Sequence, residues 1–375
     1  MNSRFKLNAS MDLEVVGKVA IITGAGSGIS PILSLSTSPS YSNPHNKPTG
    51  ISLALATLLL ARGCNVVIAD VALQPAATQL LHTYTKASPG DPSTSSSSSH
   101  PSSPSISSHP QCLYHPTDVT SWPALTQLFD YTLSHFPSGI DILVPGAGLF
   151  DPLSSNFYHP PGSPLSRDTH HLHSPSSAET ANETLDSHLH SPSEIHATPG
   201  SYHTLNVNIT HPIRLTQMGI EYWTREGRSG RVICLGSVAG QIGVMETPLY
   251  HASKFAVSGF VRSLCGLEDL GIRVVAIAPA VVQSPLWSHQ PDKMRMLTSD
   301  QKWIAPETVA EAMVELLTQE KYVGGTILEV SGSGTRVVKM VGDEGPTFES
   351  GYMIGNLDGY KEEIYTKLRE GRMGL

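Results

Sequence analysis

The sequence predicts an α/β fold, a single doubly wound parallel sheet with helices on both faces and long low-complexity insertions. Three observations point there. Short runs rich in β-branched residues, such as KVAIIT (18–23), CNVVIAD (64–70) and IRVVAIAP (272–279), are apolar almost throughout. Strands buried on both faces of a parallel sheet have that composition. Segments of helical length separate these runs, as parallel crossovers require. A glycine cluster, Thr23-Gly24-Ala25-Gly26-Ser27-Gly28-Ile29, directly follows the first strand.

Glycines after a strand let the backbone turn tightly and approach a pyrophosphate resting on the N-terminus of the next helix. That helix is delayed. Residues 30–49 carry four prolines and many serines, and a good helix begins only at Ile51, ISLALATLLLARG, ending at Gly63. The tripeptide Gly-Ile-Ser occurs at residues 28–30 and again at 50–52, so removing 22 positions leaves a seamless strand, turn and helix. The next strand, CNVVIAD, ends in Asp70, 42 positions after Gly28 and 20 after that excision. A ribose-binding acid is expected about 20 residues on. Residues 30–51 therefore read as an insertion into a nucleotide-binding unit. Asp70 either caps the following helix or accepts from the ribose hydroxyls, where its charge repels a 2′-phosphate and favours NAD over NADP.

A helix is expected from Pro75 to Tyr84, then a Ser/Pro-rich insertion over 86–110. The strand CLYHPTDV follows, with Asp118 at its end as a cap or an adenine contact, then a helix over 122–136 and the strand DILVPGAG (141–148). Gly146-Ala147-Gly148 is either a tight turn or a place small enough for a cofactor to lie close. Residues 151–203 are Pro/Ser/His-rich and read as solvated filler, since the histidine spacing is irregular for a metal site. From Asn206 a helix interrupted near Pro212 is expected. Within it Asn208 either caps or kinks the helix by freeing a backbone group. A long helix over 248–270, the strand 272–279, a partly aromatic covering loop, a helix over 306–319 and the strand GGTILEVSGSG (324–334) complete the sheet. The domain thus spans 18–334, between a tail (1–17) and a C-terminal extension (335–375).

The chemistry is concentrated in RVICLGSVAGQIGVMETPLYHASKF, where a strand delivers Ser237 to its C-terminal end and the following helix carries Tyr250 and Lys254 one turn apart. A free tyrosine, with a pKa of about 10, is a poor base near neutrality. The Lys254 ammonium is expected to stabilise its phenolate, and Ser237 to hold a carbonyl or alcohol oxygen between itself and Tyr250. These groups move a proton and need a separate hydride carrier. Tyr-Xaa-Xaa-Xaa-Lys alone is often plain helix surface; the upstream Ser and the glycine turn give it meaning.

Composition narrows the partners. A formal net charge of -8 without a basic block argues against nucleic acid and anionic membranes. No apolar run reaches the roughly 18 residues of a membrane span, and a signal-peptide core is lacking at the N-terminus, so a cytoplasmic protein is expected. Cys64, Cys112, Cys234 and Cys265 read as buried free thiols in a reducing compartment.

Taken together these residues resemble the short-chain dehydrogenase/reductase family, most closely its classical members, and are similar to fungal proteins of the 15-hydroxyprostaglandin dehydrogenase-like type. The resemblance rests on Thr23, Gly24 and Gly28 in the cofactor turn, Asp70, Asp118, Pro145-Gly146-Ala147-Gly148 and the tetrad Asn208, Ser237, Tyr250 and Lys254, with Ser237 and Tyr250 13 positions apart. It implies a Rossmann-type fold, a nicotinamide cofactor also contacted by Ile29, Tyr250, Lys254 and Pro279, and a small-molecule alcohol or ketone substrate. It further implies Tyr250 as acid/base, Lys254 on the nicotinamide ribose, Asn208 on a water-linked proton path, and a homodimer or homotetramer. Pro145, where the family usually has Asn, and Ala280, where it has Gly, depart from the pattern. An alternative is a catalytically impaired member whose cofactor turn is disrupted by residues 30–51.

Overall fold

Alternate residues of a strand face opposite ways, and in the centre of this sheet both ways lead into a core. In β1 (Val19–Thr23), Ala20 and Ile22 join one core while Val19 and Ile21 join the other. The computed structural model describes residues 13–26, 50–85, 109–152, 155–159, 201–288, 290–339 and 357–373. Gly28, Ile29 and most of the three insertions lie outside these residues.

After β1 come α1 (Ile51–Ala61), β2 (Asn65–Asp70), α2 (Pro75–Tyr84), β3 (Cys112–Pro116), α3 (Trp122–His135) and β4 (Ile142–Val144). The second half holds α4 (His203–Leu205), a π turn (Asn206–Thr210), α5 (His211–Glu226), β5 (Gly230–Leu235), α6 (Pro248–Ser263) and β6 (Ile272–Pro279). It closes with α7 (Pro285–Ser288), α8 (Pro291–Met294), α9 (Pro306–Thr318), β7 (Ile327–Ser331), β8 (Gly334–Val337) and α10 (Leu357–Arg369). The strand order is β3-β2-β1-β4-β5-β6-β7-β8, parallel except for β8. Helices α1, α2 and α9 cover one face, and α3, α5, α6 and α10 the other. The expected doubly wound sheet is therefore present, and chain order reverses between β1 and β4, where the carboxyl ends of such strands leave a crevice.

Several local expectations are corrected. The helix from Asn206 is not broken at Pro212; it runs from α4 into α5 with one widened turn, because Pro212 has no N–H to offer the Asn208 carbonyl four residues earlier. The helix from 248 ends at Ser263 and tightens into a 3-10 segment, Cys265–Leu270, which Gly271 closes at φ 75°. β4 stops at Val144, since Pro145 cannot extend a ladder. The strand expected over 324–334 is a hairpin: β7 turns back into β8, and the sheet runs on to Val337. α10 packs through Leu368 and Tyr365, whose hydroxyl donates to the Gly266 carbonyl at 2.5 Å. The stretch from 151 to 159 is not all filler, since Asp151 and Ser155 are buried and Thr204 N–H donates to the Ser155 hydroxyl at 3.0 Å. Cys265 is exposed, unlike the three other cysteines. Among the described residues no helix is long and apolar enough to cross a membrane.

Candidate active site

The crevice between β1 and β4 is built by close backbone contact. Gly24 has φ 71°, and a Cβ there would meet Ala147 Cα at 2.6 Å. A Cβ on Gly146 would come within 2.2 Å of Ser52 Oγ, and one on Gly26 within 2.2 Å of the Ala72 carbonyl. These glycines let the turns after β1 and β4 and the start of α1 meet at one edge. Gly148 is less confined, with only Asn208 Oδ1 near, at 3.7 Å.

Thr23 ties the turns together, its Oγ1 accepting from the Gly146 and Ala147 amides at 2.9 and 3.2 Å. Behind it sits His211, whose Nδ1 lies 3.2 Å from the Val207 carbonyl and Nε2 3.3 Å from Thr23 Oγ1. Burial holds the imidazole down at about 4, so it is neutral. Since a carbonyl only accepts, Nδ1 donates and Nε2 is left to accept from the Thr23 hydroxyl.

The residues fit a dinucleotide. Helix α1 opens at Gly50 with no side-chain cap and no acidic residue in its first turn, so its amide dipoles are not already compensated. Asp70, at the end of β2, is buried against the Gly26 turn and accepts from Val71 N–H at 2.8 Å. Asp118 lies just past β3 and accepts from the amide and hydroxyl of Thr120 at 2.9 and 2.7 Å, the local capping arrangement.

Ser237 leaves β5 in extended conformation and accepts from Ala239 N–H at 3.1 Å, which starts the 3-10 turn Val238–Gly240. Its hydroxyl reaches the Pro279 carbonyl at 3.4 Å and also the Tyr250 phenol. Farther on, Gln241 bonds Glu329, and Arg336 bonds both, which pins this loop to the β7–β8 hairpin. Tyr250 and Lys254 share one face of α6, and Lys254 Nζ stands 5.3 Å from the Tyr250 ring centroid.

The electrostatics differ from the sequence-based expectation. Lys254 donates to the Leu235 carbonyl at 2.7 Å, and burial pulls its ammonium down to about 8. The Tyr250 phenol is not made acidic; it is pushed up to about 12, by burial first, with the Ser237 hydroxyl opposing and the Asp151 charge adding to the rise. The phenol is thus a proton donor throughout the neutral range.

Asn208 is buried, and its side chain clamps Leu149: Oδ1 accepts from the Leu149 amide and Nδ2 donates to the Leu149 carbonyl, both at 2.8 Å. A third bond joins Nδ2 to Ser253 Oγ at 3.1 Å. The structure therefore brings Asn208, Ser237, Tyr250, Lys254 and Pro279 to one edge of the sheet, beside Gly146–Gly148, with Thr23 and Gly24 next to them.

The wall facing Tyr250 draws Trp287 and Trp303 from the partly aromatic loop expected to cover the site, and adds Phe150, whose contact the sequence did not reveal. The Phe150 ring meets the Tyr250 ring edge-on at 4.7 Å between centroids and the Trp287 ring at 5.1 Å, and Trp303 lies 6.1 Å beyond Trp287. Phe150 lies beyond the Pro145–Gly148 turn that follows β4, and nothing in its residue type foretold a contact with Tyr250. Asp151 sat at the head of a Pro/Ser/His-rich stretch that masked it.

Comparisons with known proteins agree with this architecture. A family model described as short chain dehydrogenase matches residues 187–295, the stretch holding Asn208, Ser237, Tyr250 and Lys254. The 15-hydroxyprostaglandin dehydrogenase (NAD+) of Mus musculus is 26% identical over 147 residues, covering 35% of this chain and 54% of that protein. Short-chain dehydrogenase reductase 3a of Arabidopsis thaliana is 33% identical over 162 residues, covering 38% of this chain and 63% of that protein. The chain thus spans between about half and two thirds of the length of these curated relatives. A crystal structure of 3-ketoacyl-(acyl-carrier-protein) reductase from Brucella melitensis complexed with NADH superposes with a TM-score of 0.51 at 19% identity, covering 85% of this chain and 98% of that one; this is a likeness of fold.

Proposed function

Because a short chain dehydrogenase family model matches residues 187–295 and the curated relatives are dehydrogenases or reductases, we propose that this chain is an NAD(H)-dependent oxidoreductase of the short-chain dehydrogenase/reductase family, interconverting a secondary alcohol and a ketone with Tyr250 as acid/base. The contact between the Ser237 hydroxyl and the Tyr250 phenol, at the carboxyl edge of a doubly wound sheet, carries this reading.

The N-terminus of α1 and the turn from Thr23 and Gly24 to Gly28 and Ile29 would hold the pyrophosphate, Asp70 the ribose and Asp118 the adenine end. Gly146, Ala147, Gly148, Lys254 and Pro279 would border the nicotinamide. When bound, that cofactor supplies or accepts the hydride. The protein's own residues handle the oxygen. In the reductive direction Ser237 donates a hydrogen bond to the carbonyl oxygen and Tyr250 gives it a proton, which the phenol still carries at neutral pH. In the oxidative direction the phenol must first lose that proton. Lys254, held by the Leu235 carbonyl 5.3 Å from the ring centroid, favours that loss only while its ammonium, pulled down to about 8, keeps its own proton. The Asn208 carbonyl, to which Pro212 offers no N–H, would hold a water that refills the proton.

Asp70 favours NAD over NADP, since a second negative group beside a buried carboxylate is repelled. The resemblance also supports a homodimer or homotetramer through α5 and α6, whose Ile213 and Phe255 are exposed. A panel of ketones and secondary alcohols, followed by NADH absorbance, tests the reading. We expect at least one pair to turn over faster with NADH than with NADPH; no turnover by a protein shown to bind NADH refutes it.

A further inference from the structure

Asp151 has no assigned role in the chemistry above, yet its setting is unusual. It is 1% exposed, and neither carboxylate oxygen has a hydrogen bond of regular geometry. Its φ of 40° is the only positive value at a non-glycine among the described residues. A non-glycine residue in that conformation carries strain that the surrounding structure must sustain. The preceding residue, Phe150, packs its ring on Tyr250, while the Asp151 carboxylate faces the Leu249 and Tyr250 amides in the first turn of α6. The strained backbone therefore points a buried acid at the start of the helix that carries the phenol.

We propose that Asp151 is a positioning residue that keeps the Tyr250 proton in place, and so sets the pH range in which each direction of the reaction runs. This rests on the reading of Tyr250 as acid/base. With the carboxylate ionised, a phenolate on Tyr250 is a second negative charge within its field, which adds to the effect of burial in keeping the proton on the oxygen through neutral pH. Reduction, which consumes that proton, then runs over the whole neutral range, and oxidation, which needs the phenolate, is confined to alkaline pH. The equilibrium of the reaction is untouched. Among the described residues, Asp151 faces His251 on α6 and Lys293 on α8, and Tyr250 faces Ser237, Lys254 and Asp151. Burial lifts Asp151 to about 6, against the Leu249 amide and the Lys293 charge, which pull the other way.

The test follows the tyrosine itself. Protein labelled with carbon-13 at tyrosine Cζ is titrated by NMR without cofactor, the Tyr250 signal being the one missing in Tyr250→Phe. In the wild type we expect that signal to stay protonated past the ordinary tyrosine range, with a small step near pH 6 as Asp151 ionises. Asp151→Asn, which keeps a residue tolerant of positive φ, should lower the Tyr250 midpoint by part of its rise, the larger part coming from burial, and abolish the step. Asp151→Glu should restore both in part. The alkaline limb of the oxidation profile should move with the midpoint. An unchanged midpoint in Asp151→Asn overturns the proposal, and so does a wild-type signal without the step, a measurement that needs no variant to fold. If the chain turns nothing over, the Tyr250 reading fails while the titration still reports on the coupling.

Discussion

At the residue scale, two buried carboxylates carry opposite consequences. Asp151 is neutral more easily in the folded chain than in the unfolded one, its carboxyl lifted from 3.8 to about 6. A raised folded pKa means that its contribution is complete below the unfolded value and is lost as pH rises through about 6. Asp151→Asn should therefore stabilise the protein at pH 7 by about 3 kcal/mol, and by little at pH 4, in paired denaturant unfolding curves. A variant less stable at pH 7 contradicts the assignment of a costly buried charge. Asp70, by contrast, is the residue we propose discriminates between NAD and NADP. Replacing it with Ser should raise the relative use of NADPH about tenfold or more, equivalent to about 1.4 kcal/mol of relieved repulsion, read as a ratio of kcat/KM values. Both carboxylates were visible in the sequence, but only Asp70 stood at a spacing that gave it meaning. Asp151 acquires its role from a backbone angle and from burial, and neither is written in residue identity.

At the element scale, the crevice depends on segments far apart in sequence being tied at single side chains. Asn208 clamps Leu149 through both ends of its amide, so Asn208→Ala leaves the Leu149 amide and carbonyl without those partners. A loss of about 2 kcal/mol in denaturant unfolding is expected, with a drop in kcat as the loop bearing Phe150 and Asp151 loosens. Loss of neither would remove the clamp from the account. The delayed helix is the second element-scale question. Helix α1 starts at Ile51, at the second copy of Gly-Ile-Ser, as the duplicated tripeptide suggested. NADH fluorescence titration of the full chain and of a version without residues 30–51 should give dissociation constants within a few-fold of each other, because loop length alone costs little. Binding by the shortened form alone favours the impaired alternative. The repeat and the apolar runs made the strands and α1 legible. The π turn, the 3-10 end after Ser263 and the β7–β8 hairpin were not, since each is set by where a proline or glycine interrupts a ladder in three dimensions.

On the scale of the whole molecule, one edge of one sheet gathers the described residues of the proposed site: the turns after β1 and β4, Ser237 after β5, Pro279 at the end of β6, and Tyr250 and Lys254 of α6. The Ser237, Tyr250 and Lys254 pattern was readable because strand and helix periodicity fix which residues share an edge or a face. Their electrostatic state was not, because Lys254 turns to the Leu235 carbonyl and burial dominates the phenol. What remains is whether that phenol moves the proton. The direct measurement is single-turnover reduction of a ketone by Tyr250→Phe preloaded with NADH, beside the wild type. The account predicts an unchanged NADH dissociation constant and a rate lower by about 10²–10⁴-fold, and a variant that reduces the ketone at the wild-type rate contradicts it.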